Sequence, residues 1–161
     1  NKYMTKTKDT IKVRGFFRVQ ITEDGKGIVG DSGWRKNQVT NLGFDQFLCQ
    51  TLGGMAGSKT LSHIALGTGG APAATDTSLA GEIMSSTQRK TASPSTIASK
   101  TLQMTVAFAS SASFLTAAAN LSNVGLFNTS TGGTLFAGNT YTSSSAATNQ
   151  SVNVTYQVRF S

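Results

Sequence analysis

A hydrolytic serine needs a base beside it, and this chain offers one candidate pair. Ser32 lies in Gly30-Asp31-Ser32-Gly33, and the only histidine is His63. Geometry rather than chain order makes such a pair work, so a small serine hydrolase using Ser32 and His63 is one reading. A plainer reading competes with it. Gly-Asp-Ser-Gly between two strands is ordinary turn chemistry. A lone histidine in the apolar run Leu61–Leu66 reads as a hydrogen-bonded group at the edge of a core. The seven acids are scattered: Asp9, Glu23, Asp24, Asp31, Asp45, Asp76 and Glu82. A calcium cage takes about six to eight oxygens and a glycosidase two carboxylates across a cleft; neither pattern is visible. Gly67-Thr68-Gly69-Gly70 lacks the Lys-Ser/Thr that completes a phosphate loop. Cys49 is the only cysteine, so no internal disulfide can form. It reads as a small, buried or half-buried side chain. The expectation is a protein with no catalytic residues, no cofactor and no metal.

The elements that would position these groups are mostly strands. Ile11, Val13, Phe17, Val19 and Ile21 share one face of an alternating run, with Gly15 interrupting; Lys12, Arg14, Phe16, Arg18 and Gln20 share the other. Glu23-Asp24-Gly25 reads as a hairpin turn, with a return strand near Lys26–Val29 and another strand over Trp34–Thr40. Asn41–Leu52 is the one convincing helix. Asn41 is placed to cap it, and Phe44, Phe47, Leu48, Thr51 and Leu52 fall at helical spacing. Leu61–Leu66 is a short buried strand, followed by a glycine-rich loop and a single helical turn capped by Asp76. Glu82–Lys90, Thr101–Ala109, Leu121–Asn128, Thr134–Thr140 and Ser151–Phe160 read as further strands, joined by turn-rich segments. The predicted fold is all-β: one sandwich or open barrel of about eight to ten mostly antiparallel strands, with one short helix near residues 41–52.

Charge is sparse and uneven. Charged residues make up 13% of the 161 and the net charge is +7, against about a quarter charged in an ordinary soluble domain. From Thr101 to Val158 there is no Asp, Glu, Lys or Arg. A β-domain with long uncharged faces loses little desolvation energy when those faces are buried, which suits a surface that meets other protein. The opposite holds at the start. Lys2, Lys6, Lys8, Lys12, Arg14 and Arg18 stand against Asp9 alone. Residues 1–10 read as a basic, flexible arm on a single domain spanning 11–161, and the six cations as a partner-binding set for an acidic surface. No named nucleic-acid-binding motif is present. No apolar run approaches the ~18–20 residues that span a bilayer, and no secretory leader is visible.

Several short strings together resemble one class of protein. Gly33–Asn37 (Gly-Trp-x-x-Asn) is followed by Thr40–Gly43 and by the long string Ile64–Leu79. Glu82 with Arg89, Gly125–Asn128, Gly132–Ala137 and the alternating Val152–Phe160 complete the set. In this order they are similar to small accessory virion structural proteins of tailed bacteriophages, over about residues 11–161. The resemblance implies a non-enzymatic virion component made in the bacterial host cytoplasm. It implies a capsid decoration or cement protein on the major capsid protein lattice, or alternatively a tail or fibre component. A homo-oligomer is expected, with a trimer favoured. On the fibre alternative, loop aromatics such as Phe114 or Tyr141 would bind host glycans.

Overall fold

A computed structural model describes residues 10–83 and 89–161. Its strands are β1 (Val13–Glu23), β2 (Gly27–Asp31), β3 (Arg35–Lys36), β4 (Gln38–Val39), β5 (His63–Gly67) and β6 (Lys90–Thr91). β7 (Ser95–Ala98), β8 (Thr101–Phe108), β9 (Ala119–Phe127), β10 (Leu135–Ala146) and β11 (Gln150–Phe160) complete the set. They form two antiparallel sheets, so the fold is an all-β sandwich. One sheet runs β2-β1-β11-β8-β7, with β3 also on β1; the other runs β4-β10-β9-β5-β6. The first and last long strands pair along their whole length, from Val13 opposite Phe160 to Glu23 opposite Gln150.

The alternation in β1, β8 and β11 becomes burial as a strand's period of two requires. Phe17, Val19 and Ile21 point inward with Met104, Val106, Phe108, Val152, Val154, Tyr156 and Val158. The second sheet is different: β9 is buried along most of its length, and β10 is buried over residues 135–138. Its outer side is covered by the helix and by the glycine-rich loop. Phe47 of the helix lies 5.2 Å from Phe136 of β10. The loop is tied down by Ser122 Oγ donating to the Gly69 carbonyl (2.8 Å) and by Asn123 Nδ2 donating to the carbonyls of Gly70 (3.1 Å) and Ala80 (2.8 Å). The loop lies so close that a Cβ on Gly138 would meet the Cγ of Pro72 at 3.1 Å. In the first sheet, outward positions such as Arg18, Thr105 and Ala107 stay partly or fully exposed.

Several expectations are corrected. Trp34–Thr40 is not one strand. Arg35–Lys36 pairs with β1, Gln38–Val39 pairs with β10, and the chain changes sheets at Asn37. Gly15 opens β1 for that crossing, since a Cβ there would collide with the Asn37 side chain. The helix is present, but its wide π-type segment Gly43–Cys49 precedes α-helical Gln50–Leu52. Winding wider than 3.6 residues per turn rotates the expected stripe away from the core. Phe47 is buried, Phe44 and Leu52 are exposed, and so is Cys49. The cap is Thr40, whose Oγ1 accepts from Gly43 N–H at 2.9 Å, and not Asn41. Asp76 caps no helical turn; its carboxylate accepts from Ala73 N–H at 2.9 Å within a turn. Ser95–Ala98 is an unexpected strand. Most of the expected Glu82–Lys90 strand lies outside the described residues; Glu82 bridges Gly67, and Lys90–Thr91 pairs with His63 and Ile64.

Tyr156 is fully buried against Phe17, with ring centres 6.2 Å apart, and its hydroxyl has no hydrogen-bond partner among the described residues. A buried, unpaired hydroxyl costs about 1–3 kcal/mol in desolvation. Tyr156→Phe is therefore expected to keep or raise the midpoint of urea unfolding. A clear fall would show that the hydroxyl is satisfied.

Candidate functional site

Ser32 and His63 do not form a pair. Ser32 Oγ accepts from Val19 N–H (2.9 Å) and donates to the Gly33 carbonyl (2.7 Å). The Asp31 carboxylate is held by Arg18, by Gln20 Nε2 (3.1 Å) and by Gly33 N–H (2.8 Å). Those donors keep the Asp31 carboxyl far below the usual carboxylate range, the Arg18 hydrogen bond being the largest cause. The Gly-Asp-Ser-Gly segment is thus a self-satisfied turn. His63 sits on the other sheet, with Nδ1 2.7 Å from Ser62 Oγ and Nε2 3.1 Å from Thr91 Oγ1. Among the described residues no three His, Cys, Asp or Glu side chains gather as metal ligands. No described helix is long and apolar enough to cross a membrane.

Burial lowers the His63 pKa, and the charge of Arg89 lowers it further. The folded protein therefore takes up this proton at lower pH than the unfolded chain does. Linkage then makes stability fall as pH drops through the ordinary histidine value of about 6.5. His63→Gln is expected to remove that part of the slope between about pH 7.5 and 5.5. Parallel stability profiles for the two proteins would contradict it.

The strings that carry the sequence resemblance land on joints of the fold. Gly33–Asn37 makes the crossing between sheets. Thr40–Gly43 seats the helix on β10. Glu82 and Arg89 form a mostly buried ion pair, in which Arg89 Nη1 also donates to the carbonyls of Thr129 (3.1 Å) and Gly132 (2.8 Å). The Arg89 guanidinium lies 3.7 Å above the centre of the Phe127 ring. Asn128 Oδ1 closes the same turn by accepting from Thr134 N–H at 2.8 Å. These residues hold the joints of the architecture together.

The free face of the first sheet has two parts. Its middle is uncharged apart from one neutralised pair. Arg18, Thr155 and Thr105 stand side by side in register, as do Gln20, Asn153 and Ala107, and Arg18 is engaged by Asp31. Toward the start of β1 the face becomes cationic. Arg14 stands directly opposite Arg159, and Lys36 opposite Phe16. The Arg159 guanidinium lies 4.1 Å from the centre of the Phe16 ring and 5.6 Å from that of the half-exposed Trp34.

Of the six cations expected to bind a partner, Lys2, Lys6 and Lys8 lie outside the described residues. Lys12 and Arg14 are exposed. Lys12 is tied by paired backbone hydrogen bonds to Ser161 (2.8 and 3.0 Å). Arg14 and Arg18 belong to β1 rather than to a free arm, and Arg18 is committed to Asp31. Lys36 and Arg159 join the cationic face, which the sequence reading missed. They are distant in the chain, and only strand register brings them to Arg14. The expected glycan-binding aromatics are not available. Phe114 and Tyr141 are 4% and 8% exposed, inside the core.

Compared with protein families, with characterised proteins and with solved structures, the chain shows no match.

Proposed function

We propose that this chain is a non-enzymatic structural protein of a tailed-phage particle, a decoration or cement protein bound to the major capsid protein. The observation that carries the proposal is the free face of the first sheet: broad, nearly uncharged, and cationic at one end. An uncharged polar face is cheap to desolvate, and repeated weak contacts on a lattice add up to high avidity. The cationic end supplies attraction to an acidic lattice. Copies of the chain meet one another through the uncharged part, most simply as a trimer. The fibre alternative is weaker on this fold, because the aromatics that would favour host-glycan binding are buried.

The test is location and copy number in purified particles, by imaging and by quantifying the band against the major capsid protein. Hundreds of copies over the shell support decoration. A few copies at the tail support the fibre alternative. Absence from the particle rejects both. A protein lacking residues 1–10 is expected to fold normally and to bind capsids less tightly in a co-sedimentation assay. Unchanged binding would remove the first residues from the anchor.

A further inference from the structure

The helix and the segment leading into β1 expose apolar side chains that the core does not use. Leu52 is 90% exposed, Ile11 82% and Phe44 44%. With Val13, Leu48 and Phe160 they line a groove of about 420 Å³ between the helix and the paired ends of β1 and β11. Two further hollows continue it. One shares Phe47, Leu48 and Phe160 and reaches Lys59 and Pro94. The other shares Val13 and Phe44 and reaches Arg14 and Lys36. The result is an apolar track along one end of the sandwich that turns polar and cationic where it reaches Arg14 and Lys36. Contiguous exposed apolar surface of this kind marks a binding site more often than chance.

Charge decides what fits there. The cations around the track are Lys12 beside Ile11, Arg14 and Lys36 at one end, Lys59 at the other, and Lys100, whose carbonyl accepts from Phe160 N–H at 2.9 Å. Asp45, beside Phe44, is the one carboxylate on the helix. The acids of β1 and its turn, Glu23 and Asp24, lie at the far end of the strand, opposite Gln150 rather than Phe160. Two occupants are thereby disfavoured. Residues 1–9 of this chain carry Lys2, Lys6 and Lys8 against Asp9, a charge that does not complement the basic rim. A second copy placed groove to groove would bring two basic rims together, and like charges in apposition are costly.

We propose that this track docks an acidic amphipathic segment of the partner protein. Apolar side chains of that segment fill the groove between Ile11 and Leu52, and its Asp and Glu residues meet Lys12, Arg14, Lys59 and Lys100. The inference rests on the reading that the chain binds another particle protein, and it adds the place and the chemistry of the contact. The mode is that of an apolar face laid into a groove, with charge setting specificity at the rim.

The test uses the full chain as bait against a library of random displayed peptides, with Leu52→Asp as a counter-bait. Leu52 is almost wholly exposed, so this variant leaves the core intact, and an unchanged circular dichroism spectrum verifies that. Selected peptides are expected to be rich in Asp and Glu, with Leu, Ile or Phe recurring at helical spacing. Binding of a selected peptide should weaken at least about tenfold in Leu52→Asp and in a Lys12→Glu/Lys59→Glu double variant. It should also weaken as salt rises from about 0.05 to 0.5 M. Neutral or basic peptides, equal binding to Leu52→Asp, or no enrichment over the counter-bait would overturn the proposal. Self-association in sedimentation that Leu52→Asp abolishes would assign the groove to a second copy instead. If selection fails while the protein is found on particles, this site is rejected alone. If peptides are selected but the protein is absent from particles, only the particle reading is rejected.

Discussion

Replacing Arg89 with methionine is expected to destabilise the fold by about 3–5 kcal/mol, the usual range when one partner of a buried ion pair is removed. The side chain of Arg89 is 6% exposed and that of Glu82 18%. Arg89 Nε and Nη2 donate to the two carboxylate oxygens of Glu82, and Nη1 donates to the carbonyls of Thr129 and Gly132. Removing the guanidinium leaves the carboxylate and both carbonyls without partners and uncovers the face of Phe127. Arg89→Lys keeps a charge but not the planar fork, so it recovers only part of the loss. Glu82→Met combined with Arg89→Met is expected to be less damaging than Arg89→Met alone, because no charge is then left unpaired. Urea unfolding of the four proteins measures this. A loss under about 1 kcal/mol for Arg89→Met would mean that the pair behaves as an exposed one.

Thr40→Val is expected to cost about 2–3 kcal/mol, from two broken hydrogen bonds in a site closed to water. Thr40 is fully buried. Its hydroxyl accepts from Gly43 N–H and donates to the carbonyl of Leu135 at 2.7 Å, with that of Phe136 at 3.2 Å. Valine keeps the shape and strands both the amide and the carbonyl. The neighbouring Asn41 is exposed and caps nothing, so Asn41→Ala should lie within about 0.5 kcal/mol of the parent. Equal effects at the two positions would contradict the assignment of the cap. Gly43 belongs to the same joint. The helix starts so close to β10 that a Cβ on Gly43 would collide with the Phe136 carbonyl.

The two sites show what the sequence could and could not reveal. Val152, Val154, Tyr156 and Val158 declared their strand because one face is core and the other solvent, and that contrast is written in the side chains. β7 was invisible because all four of its residues are exposed; a strand with no buried face leaves no alternation. β10 runs beyond Thr140 to Ala146 through a Ser/Thr tract that reads as loop, with a register shift between Thr140 and Ser144. The cap was assigned one residue late because Thr40 and Asn41 are both good cap formers, and only contact with β10 chooses between them. The cationic face was half legible. Lys12 and Arg14 stand in an obvious basic run, whereas Lys36 and Arg159 are distant from it in the chain. The groove was hidden for a different reason: Phe44 and Leu52 have core-like types, and periodicity assigned them to a core that the π-type winding turns them away from.

The pairing of β1 with β11 has a consequence during biosynthesis. Roughly 130 residues separate Glu23 from Gln150, and β1 is central in its sheet only once β11 is in place. At a synthesis rate of roughly 5–20 residues per second, β1 waits about ten seconds for its main partner. During that interval Phe17, Val19 and Ile21 lack one flank of their sheet. Closure over so long a loop is also slow for entropic reasons. The β1–β2 hairpin can form early and cover one edge, but the other edge stays open until the last long strand emerges. Yield of folded protein should therefore depend on expression temperature and chaperone supply more steeply than the stability of the finished sandwich suggests.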